Sequence, residues 1–270
     1  VTVWLDHTIR GRAVAGGIRL KVLRDVFSPR LGNHRDLLVC LPPSYGTDSR
    51  RYPVVYMHDG QNLFDPATSF AGAWQADRVM GALAADGLEA IIVGIPNAGP
   101  RRIDEYSPFA DGPRGGGLAR DYVFFITNRV KPAVDEAFRT RRDPDATGIV
   151  GSSMGGLASL YAYFERPDVF GFAGAMSPAF WFGKRAIFRW VEQQPRRPGR
   201  VWLDAGTSEG AFVLADVMRM RDTLVGRGYR LGPDLACVLE DGGRHDEISW
   251  GRRLPAVLRF MLDGATVPAS

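Results

Sequence analysis

Residues 146–164 read ATGIVGSSMGGLASLYAYF: a short apolar run, a cluster of glycines and serines, then a second apolar run. ATGIVG (146–151) is predicted to be a buried strand and LASLYAYF (157–164) a helix. The turn between them, Gly151-Ser152-Ser153-Met154-Gly155, matches G-x-S-x-G with Ser153 at its centre. The spacing has a steric reason. A serine lifted above the end of a strand needs a bend so sharp that the residues two before and two after it must lack side chains, or strand and helix collide. Gly151 and Gly155 stand at those places, and Gly156 lets the helix pack closely. The same bend aims the backbone N–H of Met154, at the helix N-terminus, toward negative charge developing on an atom that Ser153 attacks.

Outward from this turn the chain alternates strands and helices. IRLKVLRDV (18–26) and RDLLVCLP (35–42) read as two strands near an antiparallel edge, with a turn around Ser28 to Asn33. PVVYMHD (53–59) is fully apolar until its end, as a buried parallel strand should be. A helix over 74–87, a strand over 90–96 and a longer helix marked by Tyr122, Ile126, Val130, Val134 and Phe138 follow, the last with a kink expected at Pro132. Strands at 170–177, 200–206 and 234–241 alternate with helices at 185–194, 212–226 and 249–262. The prediction is one α/β domain over 1–270, with 1–17 as an extension or edge segment. Its central sheet is mostly parallel, with helices on both faces. Ligands bind such sheets beyond the carboxyl ends of the strands, and 97–117 is the longest loop there.

The totals fit this picture. The chain has 270 residues, 45% of them hydrophobic, and a formal charge of +4 from 34 basic and 30 acidic side chains. The basic clusters fall in polar connections, which points to a solvated surface rather than to nucleic-acid binding. No run approaches the roughly 18 apolar residues of a membrane span. The N-terminal stretch lacks the pattern of a signal peptide, so a cytoplasmic location is expected. Cys40 and Cys237 sit in apolar runs and read as buried thiols. The carboxylate-rich segments lack a metal-ligand pattern, and no metal or organic cofactor is expected.

A serine hydroxyl needs a base to attack. In α/β-hydrolases the order along the chain is serine, acid, histidine. Of His7, His34, His58 and His245, only His245 follows Ser153, in the loop LEDGGRHDEISW after the last strand. His58, at the end of an earlier strand, reads as structural. The acid should come from RVWLDAGTSEG (200–210): Glu209 lies in the loop beyond the strand and is favoured, with Asp204 and Asp216 as rivals. A second oxyanion donor should come from the loop after 53–58, where the backbone N–H of Gln61 stands beside Gly60.

Four strings, YMHDGQNLFD (56–65), VGIPNAGPRRIDEYSP (93–108), GIVGSSMGGLASLYA (148–162) and AMSPAFWF (175–182), together resemble the putative esterase family of α/β-hydrolases. That family includes esterase D-like enzymes, feruloyl and acetylxylan esterases, siderophore trilactone esterases and mycolyltransferases. The chain looks most like the stand-alone enterochelin esterase-like hydrolases. The resemblance implies the α/β-hydrolase fold, Ser153, Glu209 and His245 as triad, and Gln61 and Met154 as oxyanion donors. In several relatives the acid is the Asp of a G-T-x-D string; here the string is G-T-S-E. Trp181 looks like the aromatic that lines the substrate pocket in relatives, and Asn62 is a further candidate substrate-binding residue. Arg101, Arg102, Arg114 and Arg120 are candidates to meet an anionic substrate, against the alternative of solvated loop arginines. The expected activity is serine carboxylic-ester hydrolysis through an acyl-enzyme, on a small acyl, aromatic or siderophore-type ester. The alternatives are acyl transfer to an alcohol and a catalytically silent binding protein.

Overall fold

The computed structural model describes residues 3–264. One nine-stranded sheet runs through it: β1 (Leu5–His7), β2 (Arg19–Ser28), β3 (Asn33–Leu41), β4 (Val54–His58), β5 (Ile91–Ile95), β6 (Thr147–Ser152), β7 (Phe172–Met176), β8 (Arg200–Gly206) and β9 (Leu235–Glu240). Their order across the sheet is β1-β2-β3-β5-β4-β6-β7-β8-β9. The first three strands and the β3–β5 pair are antiparallel, and every other pairing is parallel. The hairpin expected near one edge is β2–β3. The N-terminal segment, expected as an extension or edge segment, contributes a three-residue edge strand, β1, paired with β2. Cys40 on β3 and Cys237 on β9 lie on distant strands of this order, so no disulfide joins them.

The helices are α1 (Ala76–Ala84), α2 (Arg102–Tyr106), α3 (Ala119–Phe125), α4 (Lys131–Ala137), α5 (Met154–Glu165), α6 (Ala186–Glu192), α7 (Ala211–Gly226) and α8 (Glu247–Leu262). Side chains of β4 alternate between two cores. Val54 and Tyr56 pack with α3 to α7 on one face, and Val55 and Met57 with α1 and α8 on the other. A strand buried on both faces has no polar side to show, which is why its sequence reads as a continuous apolar run. At Pro132 the helix does not simply bend. A single π-type turn over Ile126–Val130 precedes α4, and this local widening accommodates a residue that lacks an N–H.

The connections place the site. From β4 the chain returns through α1 to β5 on one side, and from β6 it returns through α5 to β7 on the other. Loops leaving β4 and β6 therefore part, and a crevice opens beyond their carboxyl ends. The glycine rule at the bend holds in detail. A Cβ on Gly151 would stand 2.7 Å from the His58 ring and 2.9 Å from the Gly155 backbone. Gly151→Ala should lower stability by about 1–3 kcal/mol, a typical overpacking cost. A thermal unfolding midpoint equal to wild type would refute this.

Candidate active site

Ser153 sits between β6 and α5 with φ 57° and ψ −120°, a backbone conformation that a non-glycine residue adopts only when its surroundings force it. Its own N–H donates to Met176 O at 3.0 Å, and its carbonyl accepts from Ala179 N at 2.9 Å, so β7 and its following loop clamp the bend from the side. From this position Oγ lies 3.0 Å from Nε2 of His245. Nδ1 of His245 lies 2.8 Å from Oε2 of Glu209. The three residues come from the loops after β6, β9 and β8.

Glu209 ends a 3₁₀ turn (Thr207–Glu209) directly after β8 and folds back over it. Its Oε1 accepts from Gly206 N at 2.7 Å and from the Ser177 hydroxyl at 2.6 Å. Burial alone would push this carboxyl up. The hydrogen bonds from His245, Ser177 and Gly206 outweigh it and hold the group below the usual carboxylate range. Neither rival acid reaches the imidazole. Asp204 is fully buried beside Arg253, and Asp216 pairs with Arg185 at 2.7 Å.

Met154 is the first residue of α5, so its N–H is one of the donors a helix start leaves without an internal partner. Gln61 is the middle residue of a 3₁₀ turn (Gly60–Asn62) following β4. Gln61, Asn62, Ser153 and His245 all line one cavity of about 530 Å³. His58 takes the structural place expected of it. Its Nδ1 lies 2.9 Å from the Tyr122 hydroxyl, and burial lowers its pKa to about 4, so it remains neutral beneath the bend.

A family model described as Putative esterase matches residues 28–261. The chain belongs to the putative esterase family. It is a carboxylic ester hydrolase with the α/β-hydrolase fold. It is 32% identical over 188 residues to the protein named "Uncharacterized protein YbbA" of Bacillus subtilis, covering 67% of this chain and 71% of that one. It is 34% identical over 141 residues to the siderophore triacetylfusarinine C esterase of Aspergillus fumigatus, covering 50% of this chain and 47% of that protein. The match thus spans about half the length of that relative. Among solved structures, a ferulic acid esterase superposes with a TM-score of 0.69 at 22% identity, covering 90% of this chain and 98% of the other.

Two expectations for this esterase change. Trp181 is not among the residues lining the catalytic cavity. It stands 46% exposed after β7, its ring 5.8 Å from that of Phe182. Asn62 lines the cavity but is buried, and its amide is occupied by protein. Nδ2 donates to Glu247 at 3.2 Å, and Oδ1 accepts from Phe70 N at 3.1 Å. It braces two walls of the cavity. The arginines divide as well. Arg114 and Arg120 pair with carboxylates near the surface, and Arg101 donates to Leu31 O at 3.0 Å. Only Arg102 reaches the cavity, and Asp59 holds it through two hydrogen bonds of 2.7 Å each.

The sequence reading missed the support behind Glu209. Ser177, buried with φ 41°, accepts from Trp250 Nε1 and Arg253 Nη2, both at 2.9 Å, while donating to Glu209. Trp250 in turn sets its ring edge-on to His245, centroids 5.0 Å apart. Arg253 contacts Asp204 at 2.9 Å and Glu209 at 3.4 Å. A signal was present: Arg253 falls on the stripe Trp250, Leu254, Val257, Leu258 of α8, where a lone arginine among apolar residues must have a buried partner.

Burial pushes Asp204 up to about 6 even with Arg253 beside it. Arg253→Met leaves both carboxylates without their cation and should cost about 3–5 kcal/mol. A carboxyl whose pKa is raised by folding favours the folded state when protonated, and that benefit is lost as pH rises through the folded value. The variant's deficit in thermal midpoint should therefore be larger at pH 8 than at pH 5. An equal deficit at both would refute the pairing.

Proposed function

We propose that Ser153, His245 and Glu209 act as a catalytic triad that hydrolyses carboxylic esters through an acyl-enzyme. The observation that carries this reading is the unbroken relay from Ser153 Oγ to His245 Nε2 at 3.0 Å and from His245 Nδ1 to Glu209 at 2.8 Å. His245 takes the serine proton as Oγ attacks the ester carbonyl. The carbonyl oxygen becomes an oxyanion, held by the N–H groups of Met154 and Gln61. Collapse expels the alcohol, which receives the proton from His245. Water, deprotonated by the same imidazole, then releases the acid and restores Ser153. Glu209 keeps the Nδ1 proton in place and stabilises the imidazolium.

The exposure of the His245 side chain, 42%, supports water as the second acceptor. The names of relatives, a triacetylfusarinine C esterase and a ferulic acid esterase, favour an ester with a sizeable acyl or alcohol part. A fluorophosphonate probe tests the reading. One adduct per chain, on Ser153 and lost on denaturation, is the expected result. Absence of an adduct in the folded protein would overturn it.

A further inference from the structure

Nine carboxylates are buried among the described residues. Seven of them are ion-paired: Asp59, Asp77, Glu89, Glu105, Asp204, Asp216 and Asp234. An eighth, Asp65, accepts two backbone N–H groups, from Arg10 at 3.1 Å and Ala67 at 2.9 Å. The ninth is Glu247. It is 5% exposed and forms no ion pair among the described residues. Its hydrogen-bond partner is the neutral amide of Asn62, at 3.2 Å. A buried carboxylate ordinarily has a cation or several donors. Glu247 has no cation among the described residues, only the Asn62 amide and its own backbone N–H as donors, and it lines the catalytic cavity.

The surroundings sharpen this. Arg102 is the one arginine or lysine in the cavity wall, and Asp59 engages its guanidinium on two nitrogens, so the pair is close to neutral. Asp246, next to Glu247, adds a second negative charge to the lining. Burial is the largest influence on Glu247 and raises its pKa; its own backbone N–H works against this, Asp59 and Asp246 add to it, and Arg102 opposes it. At the mouth stands Phe70, 90% exposed, with its backbone tied to the same Asn62 that holds Glu247. A carboxylate without a cation, a net negative wall and an open aromatic face are together the chemistry that recognises an organic ammonium.

We propose that Glu247, with Phe70 at the rim, binds a positively charged ammonium group carried by the ester substrate, so that the enzyme selects cationic over neutral and anionic esters. This rests on the esterase reading given above and adds the charge class of its substrate. Asn62 orients the carboxylate and the Phe70 loop together, so one brace sets both halves of the site.

The test compares three acetates of similar length by their rates of acetate release: acetylcholine, its uncharged isostere 3,3-dimethylbutyl acetate, and anionic 3-acetoxypropane-1-sulfonate. Expected is a kcat/KM for acetylcholine about tenfold or more above the isostere, with the sulfonate below both. Glu247→Gln keeps an oxygen for Asn62 but removes the charge, and the cation-to-neutral ratio should fall to near one. Choline should inhibit p-nitrophenyl acetate cleavage more strongly than 3,3-dimethylbutanol, and lose that advantage in the same variant. Equal turnover of the cationic and neutral esters, equal inhibition by the two alcohols, or a preference surviving in Glu247→Gln would overturn the assignment. Those outcomes leave Ser153 labelling by the fluorophosphonate intact, whereas failure of the esterase reading removes the labelling itself.

Discussion

Ser153→Ala should abolish cleavage of p-nitrophenyl acetate, with kcat falling by at least about 10⁴-fold, while the protein stays folded. The loss is large because, among the described residues, no other hydroxyl is hydrogen-bonded to His245. Ser152 is the last residue of β6 and buried, and the relay through His245 ends on Ser153 Oγ. Alanine retains the positive φ, so the strain at the bend persists and the thermal midpoint should stay near wild type. Ser153→Gly is the informative companion. It should lose the same activity yet unfold a few degrees higher, because glycine relieves about 1–3 kcal/mol of backbone strain. Wild-type turnover in Ser153→Ala would sink the assignment of the nucleophile.

Glu209→Gln should lower kcat by about 10⁴-fold with little change in KM. The argument turns on which oxygen faces what. Oε1 receives the Gly206 N–H, and a backbone donor cannot turn round, so the carbonyl oxygen of glutamine must remain on that side. The amide nitrogen then faces Nδ1 of His245 in place of Oε2. Two donors cannot share that contact, so the imidazole must carry its proton on Nε2 instead. An Nε2–H pointing at Ser153 cannot accept the serine proton. A rate near wild type would transfer the acid role to another carboxylate. In the wild type, the hydrogen bonds hold Glu209 below its usual range in spite of burial. Its contribution to stability is fully present above the unfolded value of about 4.3. It is lost only as pH falls through the lower folded one.

Much of the site was legible because it is written locally. G-x-S-x-G carries its own steric logic, and the positions of Gly151 and Gly155 against His58 bear that logic out. His245 could be singled out because no other histidine follows Ser153. Glu209 was harder, since Asp204 and Asp216 offered the same charge. What separates them is that Arg253 and Arg185, from α8 and the turn before α6, take those two. Trp181 follows directly on the buried stretch that ends at Phe180, where the chain reaches the surface; its ring packs toward Phe182 and does not line the cavity, an orientation that local sequence does not encode.

The order of strands and helices, the bend at Ser153 and the choice of His245 as its proposed base follow from the chain alone, because each depends on residues within one turn of one another or on order along the sequence. The partners of Ser177 and Arg253, the neutralisation of Arg102 and the isolation of Glu247 do not. Those contacts join residues up to 185 positions apart, as between Asn62 and Glu247. Whether a buried charge has a counter-ion is decided by which side chains the folded helices bring within about 4 Å, a distance that spacing along a sequence does not encode.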